Sequence, residues 1–294
     1  MIRLGASALS GLLAEPDDVP RGLILALHGG GARAAYWHSP VDPGSGLLEL
    51  GARLGWRVLA VDRPGYGASA DASRPGLPAH AQGAVLEEAL AAVGVADGAV
   101  VLVGHSLGAI VAARLAAAAR PRGLVAVALG GLPLAYTRAQ AARMARADVS
   151  GPVMKRAPGE ARADPATWFG PAGSWDPGLA GHRRELVART PTAEFLDARE
   201  APSTLPAVLS RIAVPTQFAV AEHERTAASA RVLLATARRA LPDAGNDVFM
   251  VRNSGHNLSL GRAARGYHLR LLAFVEASLT AGTNKFTLLL YVRQ

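Results

Sequence analysis

The chain has 294 residues, half of them hydrophobic and only 18% charged, which suits a sizeable globular core and excludes wholesale disorder. Lys and Arg number 31 against 23 Asp and Glu, but the cations, all arginine except Lys155 and Lys285, are scattered and form no block for nucleic acid. Cysteine is absent, which excludes disulfides, thiolate metal sites and a cysteine nucleophile.

Met1 to Ala14 lacks a sustained apolar core with a charged flank, so no signal peptide is expected there. No run of about 18 apolar residues marks a membrane span. The expectation is a cytoplasmic protein that acts on a small molecule and has neither nucleic acid nor membrane as partner. A strand around Ser10 to Ala14 is expected to pair antiparallel through the turn Glu15-Pro16-Asp17-Asp18. Leu23 to Leu27 and Arg57 to Val61 read as buried strands. Leu77 to Val93 has helical spacing, with Val85, Leu86, Ala89, Leu90 and Val93 on one side. Val100 to Val103 is a third buried strand, Ile110 to Ala119 a helix and Leu124 to Leu129 a fourth strand. Farther on, Thr216 to Ala221 and Val248 to Val251 read as strands, followed by helical stretches Ala227 to Ala240 and Ala264 to Leu279. Strands separated by helices predict an α/β fold with a mostly parallel sheet flanked by helices on both faces.

Leu132 to Arg211 carries no convincing buried strand and is rich in proline, tryptophan and arginine, which predicts a helical insertion between two strands. The expected division is therefore a core of residues 1–131 and 212–280, an insertion over 132–211, and a tail of unclear role over 281–294. Within that tail, Lys285 to Val292 is strand-like and reads as an extra edge strand, an arm for a homodimer, or an added tail.

The chemistry concentrates at Gly104-His105-Ser106-Leu107-Gly108, which lies between the third buried strand and the following helix. Strand, sharp turn, helix, with a serine at the apex and glycines two residues to either side, is the nucleophile-elbow pattern G-x-S-x-G. The glycines let the backbone bend tightly under an exposed hydroxyl. A serine hydroxyl is a weak nucleophile until a base takes its proton, and that base is usually a histidine oriented by a carboxylate. Of eight histidines, His256 is placed best, in the loop Arg252 to Asn257 after the last strand, because catalytic groups gather at the carboxyl ends of parallel strands. The orienting acid should follow the preceding strand, where Glu222 and Glu224 both stand; Glu224 lies farther past the strand end and is preferred, with Glu222 as the fallback.

Acyl transfer also needs hydrogen-bond donors for an oxyanion. His28-Gly29-Gly30-Gly31 follows the strand Leu23 to Leu27, and glycine there lets a peptide N–H approach a substrate oxygen. Gly30 and the Leu107 N–H at the helix start make a two-donor hole. His28 reads as bracing this loop. Neither G-x-G-x-x-G nor a phosphate-loop lysine is present, so no nucleotide cofactor and no metal are expected.

Taken together, His28 to Gly31, Asp62-Arg63-Pro64-Gly65-Tyr66-Gly67-Ala68-Ser69, Gly104 to Gly108, Ile212-Ala213-Val214-Pro215-Thr216 and Gly255-His256 resemble the α/β-hydrolase fold family over nearly the whole chain. The resemblance implies that Asp62 to Ser69 is a structural turn, that Leu132 to Arg211 is a lid or cap, and that the triad is Ser106, Glu224 and His256. Most relatives carry aspartate at the position of Glu224, and glutamate, one methylene longer, is also used. The fold's alternative acid position, after the strand Leu124 to Leu129, holds Gly130 and Gly131, which favours Glu224. Ser106 argues against the dehalogenase and epoxide-hydrolase relatives, whose nucleophile is aspartate.

The resulting expectation is a serine hydrolase that cleaves an ester, thioester or lactone of a medium-sized apolar substrate through an acyl-enzyme. The rivals are a carbon–carbon bond hydrolase or haloperoxidase-like enzyme and a ligand-binding module on the same fold. Tyr36 and Trp37, just past the glycine loop, and Trp168 and Trp175 in the insertion are the candidate substrate-binding residues. Phe169, Phe195 and Leu196 are weaker candidates, and Arg183, Arg184 and Arg189 read as a solvated helix face.

Overall fold

The computed structural model describes residues 2–4, 9–70, 76–94, 98–159, 164–242 and 245–291, with side chains to residue 280. Its centre is an eight-stranded sheet formed by β1 (Ile2–Leu4), β2 (Leu9–Ala14), β3 (Leu23–Leu27), β4 (Arg57–Val61), β5 (Val100–His105), β6 (Leu124–Gly130), β7 (Thr216–Ala221) and β8 (Asp247–Val251). The order is β1-β2-β4-β3-β5-β6-β7-β8, parallel from β4 to β8, with β1 and β2 antiparallel at one edge.

The central strands are apolar on both sides because both faces are covered. Leu23, Leu25 and Leu27 point into one core while Ile24 and Ala26 point into the other, and Leu102 alternates with Val101 and Val103 in the same way. The first face packs under α2 (Gly83–Ala92), α3 (Leu107–Ala117) and α8 (Ala230–Ala240); the second packs under α1 (Leu47–Arg53) and α9 (Ala264–Tyr291). Between β6 and β7 the chain leaves the sheet for α4 (Arg138–Ala145), α5 (Ala166–Phe169), α6 (Arg183–Leu186) and α7 (Thr192–Leu209). Among the described residues no helix is long and apolar enough to cross a membrane.

Several expectations are corrected. The strand at Ser10 to Ala14 is antiparallel as read, but it pairs with β4 and β1, and the turn Glu15 to Asp18 leads on to β3 on the far side of β4. Residues 15–22 are long enough to step over one strand, a lateral shift of about 10 Å, and Pro16 and Pro20 keep that stretch out of a tight hairpin. Helix over Leu77 to Val93 shrinks to α2, preceded by a single 3-10 turn at Ala79–Ala81, because Gln82 turns its amide inward to Leu77 O and Glu194. The helix expected from Ala227 starts at Ala230, since Ala228 N is committed to Ala135 O. The strand-like reading of Lys285 to Val292 is overturned: α9 runs on through Tyr291, and Val292 lies outside the described residues. Leu288 to Leu290 are as compatible with helix as with strand, and no proline interrupts the run.

Candidate active site

β5 ends on His105 and α3 begins on Leu107, so Ser106 alone makes the turn between them. It sits at φ 52°, ψ −117°, a conformation costly for a residue with a Cβ. The turn is held from both sides. Ser106 N donates to Gly130 O at 2.8 Å, and Ser106 O accepts from Ala109 N and Ile110 N in the first turn of α3. The flanking glycines are there for space. A Cβ on Gly104 would lie 2.5 Å from Gly108 O, and one on Gly108 would collide with the Leu27 and His28 carbonyls. Of residues 100–113, Ser106 is the one left partly open to solvent.

His256 stands in the loop after β8. Its Nδ1 is 2.7 Å from Glu224 Oε2 and 2.9 Å from Thr226 Oγ1. Glu224 lies just past β7, with its side chain wholly buried. Burial alone would raise its pKa, but the His256 imidazole and the Thr226 hydroxyl and amide outweigh that and hold it down at about 2. The carboxylate is therefore an acceptor only. Thr226 Oγ1 donates to Glu224 Oε1 at 2.7 Å and so can only accept from the imidazole. Both neighbours thus require the proton on Nδ1. Among the described residues Nε2 has no hydrogen-bond partner, and it carries the lone pair.

The two halves meet through His105. Its ring lies 4.8 Å from the His256 ring, and its Nε2–H donates to His256 O at 2.8 Å. The structure brings Glu224 and His256 into contact and sets His256 beside the residue preceding Ser106, but no hydrogen bond joins the Ser106 hydroxyl to the imidazole. Such bonds are often long in unliganded sites and tighten on binding. Gly131, at φ 59°, approaches so closely that a Cβ would be 3.1 Å from both His105 Nε2 and His256 Cε1, which leaves no room for a carboxylate side chain.

Glu222 takes a different part. Its Oε2 accepts from Asn253 N at 2.7 Å, bracing the start of the histidine loop from outside. Gly255 also has a role that the sequence did not reveal. A Cβ there would run into the backbone of Phe169 and Gly170, so the glycine lets the inserted segment pack directly on the histidine loop.

The glycine loop lies against the elbow. A Cβ on Gly30 would be 2.6 Å from Leu107 Cδ1, and one on Gly29 would be 3.0 Å from Ser106 Cβ. The Leu107 amide, first of its helix, and the Gly30 amide carry no hydrogen bond among the described residues. His28 braces this loop. Arg63 N donates to His28 Nε2 at 3.2 Å, which leaves the proton on Nδ1, and Nδ1 donates to Gly29 O at 2.8 Å.

The substrate-binding candidates divide. Tyr36 and Trp37 sit within the core. Both are fully buried, Tyr36 stacked 4.6 Å from the His105 ring and Trp37 edge-on to Tyr36 at 5.0 Å, so their position past the glycine loop serves packing. Trp168 is 37% exposed and stands 5.9 Å from the His256 ring, with its carbonyl accepting from Asn257 N. Trp175 stacks on Phe169 at 5.1 Å. Arg183, Arg184 and Arg189 are exposed, as a solvated face requires. Thr226 went unseen in the sequence, where a threonine two residues beyond a glutamate carries no signal.

Three buried histidines fix the acid stability. Desolvation pulls His28 and His105 down to about 3 and His268 down to about 4. Each is neutral when folded and titrates near 6.5 when unfolded, so each favours the folded state fully above pH 6.5 and loses that contribution as the pH falls toward its folded value. Urea unfolding is expected to show stability dropping by about 1 kcal/mol for each histidine, about 3 in total, between pH 6.5 and 5.5. Glu224 acts in the same direction with a lower threshold, losing its contribution only below pH 4.5, as the pH falls toward about 2. A flat stability curve from pH 7 to 5 would contradict the assignment of neutral buried histidines.

The family model described as "Alpha/beta hydrolase family" matches residues 24–266 of the chain. Solved structures agree in fold. The monoacylglycerol lipase of Paleococcus ferrophilus superposes with a TM-score of 0.63 at 18% identity, covering 92% of this chain and 99% of the lipase. A soluble variant of the monoglyceride lipase of Saccharomyces cerevisiae gives a TM-score of 0.70 at 11% identity, over 95% of this chain and 97% of that one. The enol-lactonase of Burkholderia xenovorans LB400 gives 0.64 at 16% identity, over 91% and 96%. Curated protein sequences provide no match.

Proposed function

The chain belongs to the alpha/beta hydrolase family, and we propose that it is a serine hydrolase that cleaves an ester, thioester or lactone of a medium-sized apolar substrate. The observation that carries this reading is the buried Glu224–His256 pair, which puts the imidazole proton on Nδ1 and leaves the lone pair on Nε2, with the His256 ring against His105, the residue before the strained Ser106 turn. In the proposed reaction His256 Nε2 takes the Ser106 proton as the oxygen attacks the substrate carbonyl. The Gly30 and Leu107 amides hold the oxyanion, and the helix start beneath Leu107 adds its dipole. Glu224 stabilises the imidazolium, which then protonates the leaving group. Water activated by the same imidazole releases the acyl group from Ser106.

In this reading residues 132–211 act as the cap over the site. Contacts of Phe169 and Gly170 with Gly255, and of Ala188 N with Gly31 O at 3.0 Å, support it. Trp168, exposed beside His256, is the residue best placed to meet an apolar acyl group. Turnover of p-nitrophenyl esters of graded chain length, measured beside a panel of diketones, tests the reaction class. Medium-chain esters are expected to be the best substrates. Diketone cleavage without ester turnover would instead favour a carbon–carbon bond hydrolase, and no turnover of either would favour a binding module.

A further inference from the structure

Glu194, in the first turn of α7, is a buried carboxylate that the chemistry above does not use. The Arg63 guanidinium, the Tyr66 hydroxyl and the Gln82 amide all donate to it, and the Arg63 and Glu194 side chains are 0% and 2% exposed. Arg63 also stands 4.8 Å over the Tyr66 ring. Stability alone accounts poorly for such a pair. Two charges withdrawn from water are offset only when their remaining polar atoms are satisfied, and among the described residues the buried Arg63 Nη2 has no hydrogen-bond partner.

The geometry of Arg63 points elsewhere. Its Nε donates to His28 O at 3.0 Å and its backbone N donates to His28 Nε2 at 3.2 Å. Arg63 thus holds the histidine at its carbonyl and at its ring, and it dictates the tautomer. The ring proton is left on Nδ1, which donates to Gly29 O. That carbonyl and the Gly30 N–H belong to one planar trans peptide and point in opposite directions. A bond that pins the Gly29 oxygen therefore aims the Gly30 N–H. The inserted segment is seated firmly enough to transmit this: Pro191, just before α7, fills the space against Gly65 and Gly76, where a Cβ would collide with it.

We propose that Glu194, carried by the inserted segment, is a positioning residue for the oxyanion-donating peptide: it holds Arg63, Arg63 holds His28, and His28 sets the plane of the Gly29–Gly30 peptide. The inference rests on the reading of the Gly30 amide as an oxyanion donor. The cap is then more than a lid, because one of its helices completes the electrostatics of the acyl-transfer site.

Steady-state kinetics with p-nitrophenyl butyrate, and inhibition by butylboronic acid as a tetrahedral mimic, test it on Glu194→Gln, Glu194→Asp and Arg63→Lys. Removing a whole oxyanion donor costs about 100- to 1,000-fold in kcat, so a misaimed one is expected to cost about ten- to 100-fold. Glu194→Gln should show that loss in kcat with KM within about twofold, a parallel weakening of the boronate, and partial rescue in Glu194→Asp. Arg63→Lys keeps a cation for Glu194 but lacks the Nε donor to His28 O, so it should show the same split even if Glu194→Gln fails to fold. Variants whose kcat per folded enzyme and boronate affinity match wild type would overturn the inference. So would losses that fall equally on kcat and on folded yield. A wild type that neither turns over the ester nor reacts with a fluorophosphonate at Ser106 would overturn the serine-hydrolase reading itself, and this inference with it.

Discussion

Ser106→Ala is expected to lower kcat for ester hydrolysis by about a million-fold, leaving only the residual rate that binding and the two amides supply. The size follows from the site's construction. The imidazole has one lone pair to offer, and the one hydroxyl proposed to receive its help stands on the tight turn between β5 and α3. The same substitution should cost almost no stability, because among the described residues the hydroxyl it removes makes no hydrogen bond, and alanine meets the same backbone strain at φ 52°. Thermal unfolding of the variant should stay within a few degrees of wild type. A variant that loses activity only in step with its folded fraction would contradict the assignment.

Glu224→Gln is expected to lower kcat by about 1,000- to 10,000-fold at pH 7. A glutamine amide facing Nδ1 can donate, which favours the tautomer with the proton on Nε2, and that nitrogen then cannot act as a base. Nor can a neutral amide stabilise the imidazolium. Glu222→Gln should change kcat by less than about threefold, because the carbonyl of glutamine can still accept from Asn253 N. Kinetics of the two variants side by side separate the acids. A severe effect confined to Glu222→Gln would remove Glu224 from the mechanism.

Much of the sheet was legible because its strands are buried on both faces. Leu23 to Leu27, Arg57 to Val61 and Thr216 to Ala221 read as short apolar runs with bounds equal to those observed. The edge was not legible, since the partner of Ser10 to Ala14 depends on how the chain steps over β4, a long-range matter that turn residues do not record. The C-terminal run failed because leucine and aromatic residues suit strand and helix alike. In the site, Glu224 and His256 could be found from their places after successive strands, and they do meet. The full burial of Tyr36 and Trp37 was not legible, because nearness in sequence to the glycine loop says nothing about which way the following turn faces. Thr226, and the bond between Arg63 and Glu194 across 131 residues, lay beyond any local pattern.

Fluorophosphonate labelling followed by intact-mass measurement and peptide mapping tests the central claim most directly. One adduct is expected on wild type, on Ser106, absent from Ser106→Ala and strongly slowed in His256→Ala. No adduct on folded wild type, or one that persists in Ser106→Ala, would contradict it.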